Sequence, residues 1–245
     1  MVSKDTIRGV LHMYITELET PAVLLDLDIA EKNIQTYQQA CDKYKKSLWP
    51  MVKTHKSSSL LKKQMELGAE GFLCGTIDEC EMAVEAGAGK IMYAYPPANP
   101  KNISRLAVLA HKADIIIRID HLDVARMLET AAEKEGITFF YSIIVDMDFH
   151  RFGVAPAKVV AFAQEMKQFS HLKFFGISTH PGQVYGCTTQ AERQSVAKLE
   201  TETMGSVAAD LKAAGFTDFF VTSGSTPTFA LTVDQPEIQI YHPGN

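Results

Sequence analysis

Short apolar runs alternate with amphipathic stretches from one end of this chain to the other, and that rhythm limits the folds open to it. Ala22–Leu27, Leu48–Lys53, Gly71–Cys74, Ile91–Tyr95, Ile115–Ile119, Phe139–Asp146, Phe174–Thr179 and Phe219–Thr222 read as strands. Helical patterns lie between them, as in Ile29–Tyr44, Asp78–Glu85 and Leu122–Lys134. Gln190–Ala214 is the longest, and its polar composition predicts an exposed outer helix. Gly68, Gly87, Gly136 and Gly215 each follow a helical run, where a left-handed turn would end it. Some eight strand–helix units in 245 residues predict a parallel (β/α)8 TIM barrel, which takes about 250 residues. An open doubly wound sheet fits less well, and no GxGxxG follows the first strand to mark a dinucleotide site.

Composition removes several function classes. With 46% hydrophobic residues the chain has material for one large core. A net charge of −5 argues against nucleic-acid binding through a basic surface. The four cysteines, Cys41, Cys74, Cys80 and Cys187, contain no CxxC pair, so neither a zinc knuckle nor a disulfide framework is indicated. Met1-Val2-Ser3-Lys4-Asp5 opens no signal-peptide core, and no apolar run approaches the roughly 20 residues of a membrane span. The expectation is a cytoplasmic protein acting on a small molecule. Residues 1–236 are expected to form the barrel. Glu237–Tyr241 reads as a further strand, and its run into His242-Pro243-Gly244-Asn245 suggests that the sequence continues in the natural protein.

Two places stand out for chemistry. Lys53 closes the run Leu48-Trp49-Pro50-Met51-Val52-Lys53, and in a parallel barrel the C-terminal strand ends open into the active-site mouth. An amine held there, partly desolvated, can form a Schiff base. On a continuing strand Met51, Lys53 and His55 would share one face, with Thr54 and Lys56 on the other. Far along the chain, Ser223-Gly224-Ser225-Thr226-Pro227-Thr228 follows a short strand. Its small residues admit close backbone approach and its N–H groups can cradle an anion, with Thr226 as helix N-cap and Pro227 at the first helical position. Each feature alone is ordinary: solvated lysines closing a strand, and a Ser/Gly turn. Together, imine and phosphate point to pyridoxal phosphate.

The chain resembles the D-threonine aldolase/D-serine dehydratase family, a branch of the fold type III pyridoxal-phosphate enzymes whose barrel is the alanine racemase N-terminal domain. Thr20-Pro21-Ala22-Val23-Leu24-Leu25-Asp26 is similar to the family's opening. Val52-Lys53-Thr54-His55-Lys56 is similar to its lysine motif, and Asp146 with His150-Arg151-Phe152-Gly153-Val154 to its mid-barrel motif. His180-Pro181-Gly182-Gln183-Val184-Tyr185 resembles its histidine–tyrosine loop, Ser223–Thr228 its phosphate loop, and Pro243-Gly244 the start of its domain crossover, which implies that 237–245 lead to a C-terminal β domain. The resemblance implies that Lys53 carries the cofactor and moves protons at the substrate Cα, and that His180 is also catalytic. It implies further that Arg151 pairs with the pyridine nitrogen, that His180 and Tyr185 line the cofactor, and that Ser223, Gly224, Ser225 and Thr226 hold its phosphate.

The departures matter as well. Trp49-Pro50-Met51 stands where the family usually has Arg-Pro-His. The divalent metal of full-length relatives is bound in their C-terminal domain, and His12, His111, His121 and His171 are expected at the surface instead. The leading reading is a lyase, an aldolase or dehydratase, acting on β-hydroxy D-amino acids, with a homodimer implied by the resemblance. A racemase of the same fold, a non-catalytic pyridoxal-phosphate carrier and a cofactor-free class I aldolase are the alternatives.

Overall fold

The longer strands of this protein carry apolar residues at both registers, so they can be stable only with both faces covered. A computed structural model describes residues 14–244 and shows how that is met. The strands are β1 Ser47–Leu48, β2 Phe72–Cys74, β3 Lys90–Tyr93, β4 Asp114–Ile119, β5 Phe139–Ile144, β6 Leu172–Thr179, β7 Phe220–Ser223 and β8 Ile240–Tyr241. All pair in parallel, in the order β1-β8-β7-β6-β5-β4-β3-β2. The two ends of that order meet. Glu70 N–H donates to Leu48 O (3.2 Å), Leu73 N–H donates to Pro50 O (3.0 Å), and Met51 bridges to Leu73. The sheet therefore closes into a barrel.

Eight helices cover its outer face: α1 Leu27–Lys43, α2 Ser58–Glu66, α3 Ile77–Glu85, α4 Pro100–Leu109, α5 Leu122–Glu135, α6 Val159–Met166, α7 Gln190–Ala213 and α8 Thr226–Thr232. Alternation along the strands divides the core in two. Ile115, Ile117 and Ile119 of β4, and Phe139, Tyr141 and Ile143 of β5, pack outward in the layer shared with the helices. Ile116 and Phe140 face inward with Trp49, Met92, Phe175 and Ile240 and fill the barrel. Gly68, Gly87, Gly136 and Gly215 all have positive φ at the helix ends, as expected.

Four segments differ from the sequence expectation. Residues 22–26 pair with no strand among the described residues; Val23 is fully exposed, and α1 starts at Leu27 because the Asp26 carboxylate caps Ile29 N–H (3.0 Å). The eighth strand is instead Ile240–Tyr241, inserted between β7 and β1, within the segment 237–245 read as a crossover. The run Leu48–Lys53 is a strand only at its start. Pro50 has no N–H to give the ladder, and Val52–Thr54 turn as a 3-10 helix. Finally, α7 is not the wholly exposed helix expected from its polar composition. Ala197, Glu200, Met204, Val207, Ala208 and Leu211 form a buried stripe at three- and four-residue spacing.

Candidate functional site

Because all eight strands run the same way, their C-terminal ends share one rim, where side chains from distant parts of the chain meet. The rim holds an open cleft. Lys53 reaches it from the 3-10 turn after β1, together with Met51. The turn, not strand alternation, places it, so His55 does not follow. His55 lines a second pocket instead, with Leu60 of α2 and Tyr37 of α1. Lys56 has a positive φ and leaves the cleft to pair with the buried Glu79 carboxylate. Lys53 is exposed at the mouth, contrary to the expected desolvation, and no carboxylate among the described residues pairs with it.

Arg151 enters from a tight excursion after β5. The Asp146 carboxylate accepts from Phe149 N–H (3.1 Å) and His150 N–H (3.0 Å), and Asp146 N–H donates to Val154 O (3.0 Å), which pinches the loop shut. Its tip sets the Arg151 guanidinium over Phe152 (4.4 Å) and Phe149 (4.8 Å), in reach of Tyr95 (5.8 Å). These cation–π contacts fix the charge without neutralising it. His150 turns to solvent and to Asp146.

His180 follows β6, and its Nδ1 bonds the Gly224 carbonyl. A carbonyl can only accept, so Nδ1 carries the proton and Nε2 keeps its lone pair. Burial first, and then the cations Arg118, Arg151 and Lys53, push its pKa down to about 4, so the ring is neutral near pH 7. Tyr185, half-exposed in the turn Gly182–Gly186, stacks toward His180 with ring centroids 6.2 Å apart.

The small-residue loop after β7 closes the cleft with Gly224, Ser225 and Thr226. Glycine is required at 224, since a Cβ there would lie 2.6 Å from His242 Cβ and 2.8 Å from its carbonyl oxygen. Ser225 is the N-cap of α8 and Thr226 its first residue, one position earlier than expected. Ser223 is fully buried, and its hydroxyl donates to Glu200 of α7 (2.5 Å), away from the cleft. Of the eight expected site residues, the other seven line one cleft.

Among the further residues that line it are two basic side chains that sequence reasoning passed over, Arg118 and His242. Arg118 of β4 is buried and points inward. Its Nε donates to Ser178 Oγ (2.9 Å), while Nη2 has no partner. Burial first, and then Arg151, lowers its pKa to about 10. His242, after β8, donates from Nδ1 to Trp49 O (2.9 Å) and leaves Nε2 buried and unpartnered, with burial pushing its pKa down to about 3. The sequence held one signal for Arg118: a charge inside the apolar run Ile115–Ile119. The lining thus holds three cationic side chains and no carboxylate.

Among the described residues no three His, Cys, Asp or Glu side chains converge on a metal-binding point. His111 and His121 are exposed and His171 pairs with Glu129, while His12, Met1–Asp5 and Asn245 lie outside the described residues. No helix among them is long and apolar enough to cross a membrane.

Residues 25–244 match the family model described as alanine racemase, N-terminal domain. The chain belongs to that family. It is 31% identical over 214 residues to the D-threo-3-hydroxyaspartate dehydratase of Delftia sp. (strain HT23) and 28% identical over 213 residues to the D-threonine aldolase of Arthrobacter sp.. Each comparison covers 86% of this chain and 56% of the relative, so the chain spans little more than half the length of these curated relatives. The crystal structure of D-threonine aldolase from Filomicrobium marinum superposes with a TM-score of 0.90 at 26% identity, over 94% of this chain and 62% of that one.

Proposed function

We propose that the cleft binds pyridoxal phosphate through Lys53, and that this chain is the cofactor-binding barrel of a lyase acting on β-hydroxy D-amino acids. The observation that carries the reading is the donor set. A free lysine amine, two guanidinium groups and a neutral histidine surround one cleft closed by Gly224–Thr226, with no acid in the lining. That set suits an aromatic aldehyde bearing a phosphate and suits a cationic ligand badly. Buried polar atoms without partners at Arg118 Nη2, His242 Nε2 and Ser225 Oγ supply hydrogen-bond capacity for a bound group. The relatives named as a hydroxyaspartate dehydratase and a D-threonine aldolase supply the substrate class and the choice of a lyase over a racemase.

When bound, the cofactor would withdraw electrons from the substrate Cα and so labilise its bonds. The protein's share is nucleophile, position and proton. Lys53 is free to attack an aldehyde carbon, since no ion pair among the described residues must break first. Gly224, Ser225 and Thr226 would hold the phosphate through the loop backbone and hydroxyls. Arg151, pinned by its aromatic neighbours, and Arg118, anchored on Ser178, would direct fixed positive charge at the ring. A guanidinium does not give up its proton, so it would leave a ring nitrogen beside it unprotonated. His180 holds the phosphate loop through Nδ1 and keeps Nε2 able to take a proton.

The test is spectroscopic and then chemical. Wild-type protein mixed with pyridoxal phosphate should gain a visible absorption band that Lys53→Ala loses, while little or no turnover of D-threonine or D-serine is expected from these 245 residues alone, which span 56% of the curated relatives. A protein without the band would contradict the reading. Turnover without a band would favour a cofactor-free lysine aldolase.

A further inference from the structure

The described residues bury two glutamates, and they are treated differently. Glu79 has a cation, Lys56, and accepts from Gly75 N–H (2.7 Å). Glu200, 1% exposed on the inner stripe of α7, has none. Its Oε1 accepts from Ser223 Oγ (2.5 Å). Its Oε2 and Thr228 Oγ1 are both buried without a well-formed hydrogen bond, yet Thr228 lies close enough to act on the carboxyl. Ser223 and Thr228 flank Gly224–Ser225–Thr226, so the acid stands behind the loop that closes the cleft.

We propose that Glu200 is the positioning residue of this loop, tying both of its ends to α7, and that its charge state sets how tightly the loop holds a phosphate dianion. The proposal rests on the pyridoxal-phosphate reading of the cleft. The groups facing Glu200 are hydroxyls: Ser223 from β7, Thr228 from α8, and the Tyr241 phenol from β8, which donates to Thr232 O (2.5 Å). Among the described residues no cation acts on its carboxyl. Burial raises its pKa to about 7, where it divides between neutral and ionised forms near neutral pH. The neutral acid accepts from Ser223 and can donate to Thr228, which satisfies both ends of the loop. The ionised acid puts a negative charge behind the loop, and a phosphate dianion in front of it would be repelled. Proton on Glu200 and phosphate on the loop therefore support each other, and binding one favours the other.

Glu200→Gln separates these effects, because the amide can keep both hydrogen bonds and cannot ionise. Affinities for pyridoxal phosphate and for pyridoxal, which has no phosphate, would be measured from pH 6 to 9 on wild type and variant. Titrations of the phosphate and of the imine are common to both proteins and cancel in the ratio of affinities. Between those pH values the wild type should lose affinity for pyridoxal phosphate relative to E200Q by on the order of tenfold, equivalent to one unit of pKa coupling. For pyridoxal the ratio should stay flat. Calorimetry of the wild type alone, in buffers of different ionisation enthalpy at pH 8, should show more proton uptake with pyridoxal phosphate than with pyridoxal. Equal uptake, or parallel pH profiles in the two proteins, would overturn the role of Glu200 alone. No visible band with either aldehyde would overturn the cofactor reading and this proposal with it.

Discussion

Between the sheet and its helices, buried side chains such as Ile117, Phe139 and Leu211 are apolar and in mutual contact. Inside the barrel at the mouth end, Arg118, Ser142, Thr222 and His242 are just as buried but carry polar atoms with no partner. The two regions lie on opposite faces of the same strands, so one backbone serves both. Burying a donor without a partner costs stability, on the order of 1–3 kcal/mol for each group left unsatisfied. Apart from atoms such as Glu200 Oε2, the helix layer serves the fold, whereas the mouth layer gives up stability in the way the proposed ligand site requires.

Adjacent residues of β4 can break that contrast. Ile117→Ala, on the helix side, should cost about 2–5 kcal/mol of folding stability, read from denaturant midpoints, and leave the affinity for pyridoxal phosphate nearly unchanged. Arg118→Met, on the mouth side, should leave the ligand-free protein at least as stable as the parent. Its affinity for pyridoxal phosphate should fall about ten- to a hundredfold, since a hydrogen bond to a charged group is worth roughly 1.5–3 kcal/mol. If Arg118→Met unfolds the protein, the arginine belongs to the core and the contrast fails.

Acidification sharpens the same comparison with a smaller effect. His180 and His242 are held at about 4 and about 3, below the ordinary 6.5. Below pH 6.5 the unfolded chain binds protons that the folded chain refuses, so stability falls as pH drops toward those values. Glu200 acts in the opposite sense. Its pKa is raised from 4.5 to about 7, so its contribution is complete below pH 4.5 and is lost as pH rises to 7. Two histidines against one glutamate leave a net loss on acidification from pH 6.5 to 4.5. His242→Gln should reduce that slope by about 1.4 kcal/mol per pH unit, one proton's worth, in denaturation of the ligand-free protein. Equal slopes would place His242 in water.

The helix layer was readable because periodicity and glycine stops act locally; α5, expected over Leu122–Lys134, runs Leu122–Glu135. Strand existence was readable for the same reason. Strand identity was not: Ala22–Leu27 has the composition of a strand, but pairing depends on a neighbour that composition does not specify. In the mouth, the quoted motifs carried Lys53, Arg151, His180, Tyr185 and Gly224–Thr226 to one cleft. The direction of the Ser223 hydroxyl depends on Glu200, 23 residues away on a helix expected to be exposed. The charge of Arg118 within an apolar run was legible, but that it and His242 point into the cleft becomes visible only once the barrel has closed. Lys53 reached the cleft by a turn that Pro50 helps to set, not by the alternation first supposed.

The central claim is that Lys53, and not its neighbour Lys56, is the group that captures the aldehyde. Borohydride reduction of the protein loaded with pyridoxal phosphate, followed by peptide mapping, tests it directly. The account predicts a single pyridoxyl adduct on Lys53, with Lys56 unmodified beside Glu79. An adduct on Lys56, or on neither lysine, would contradict it.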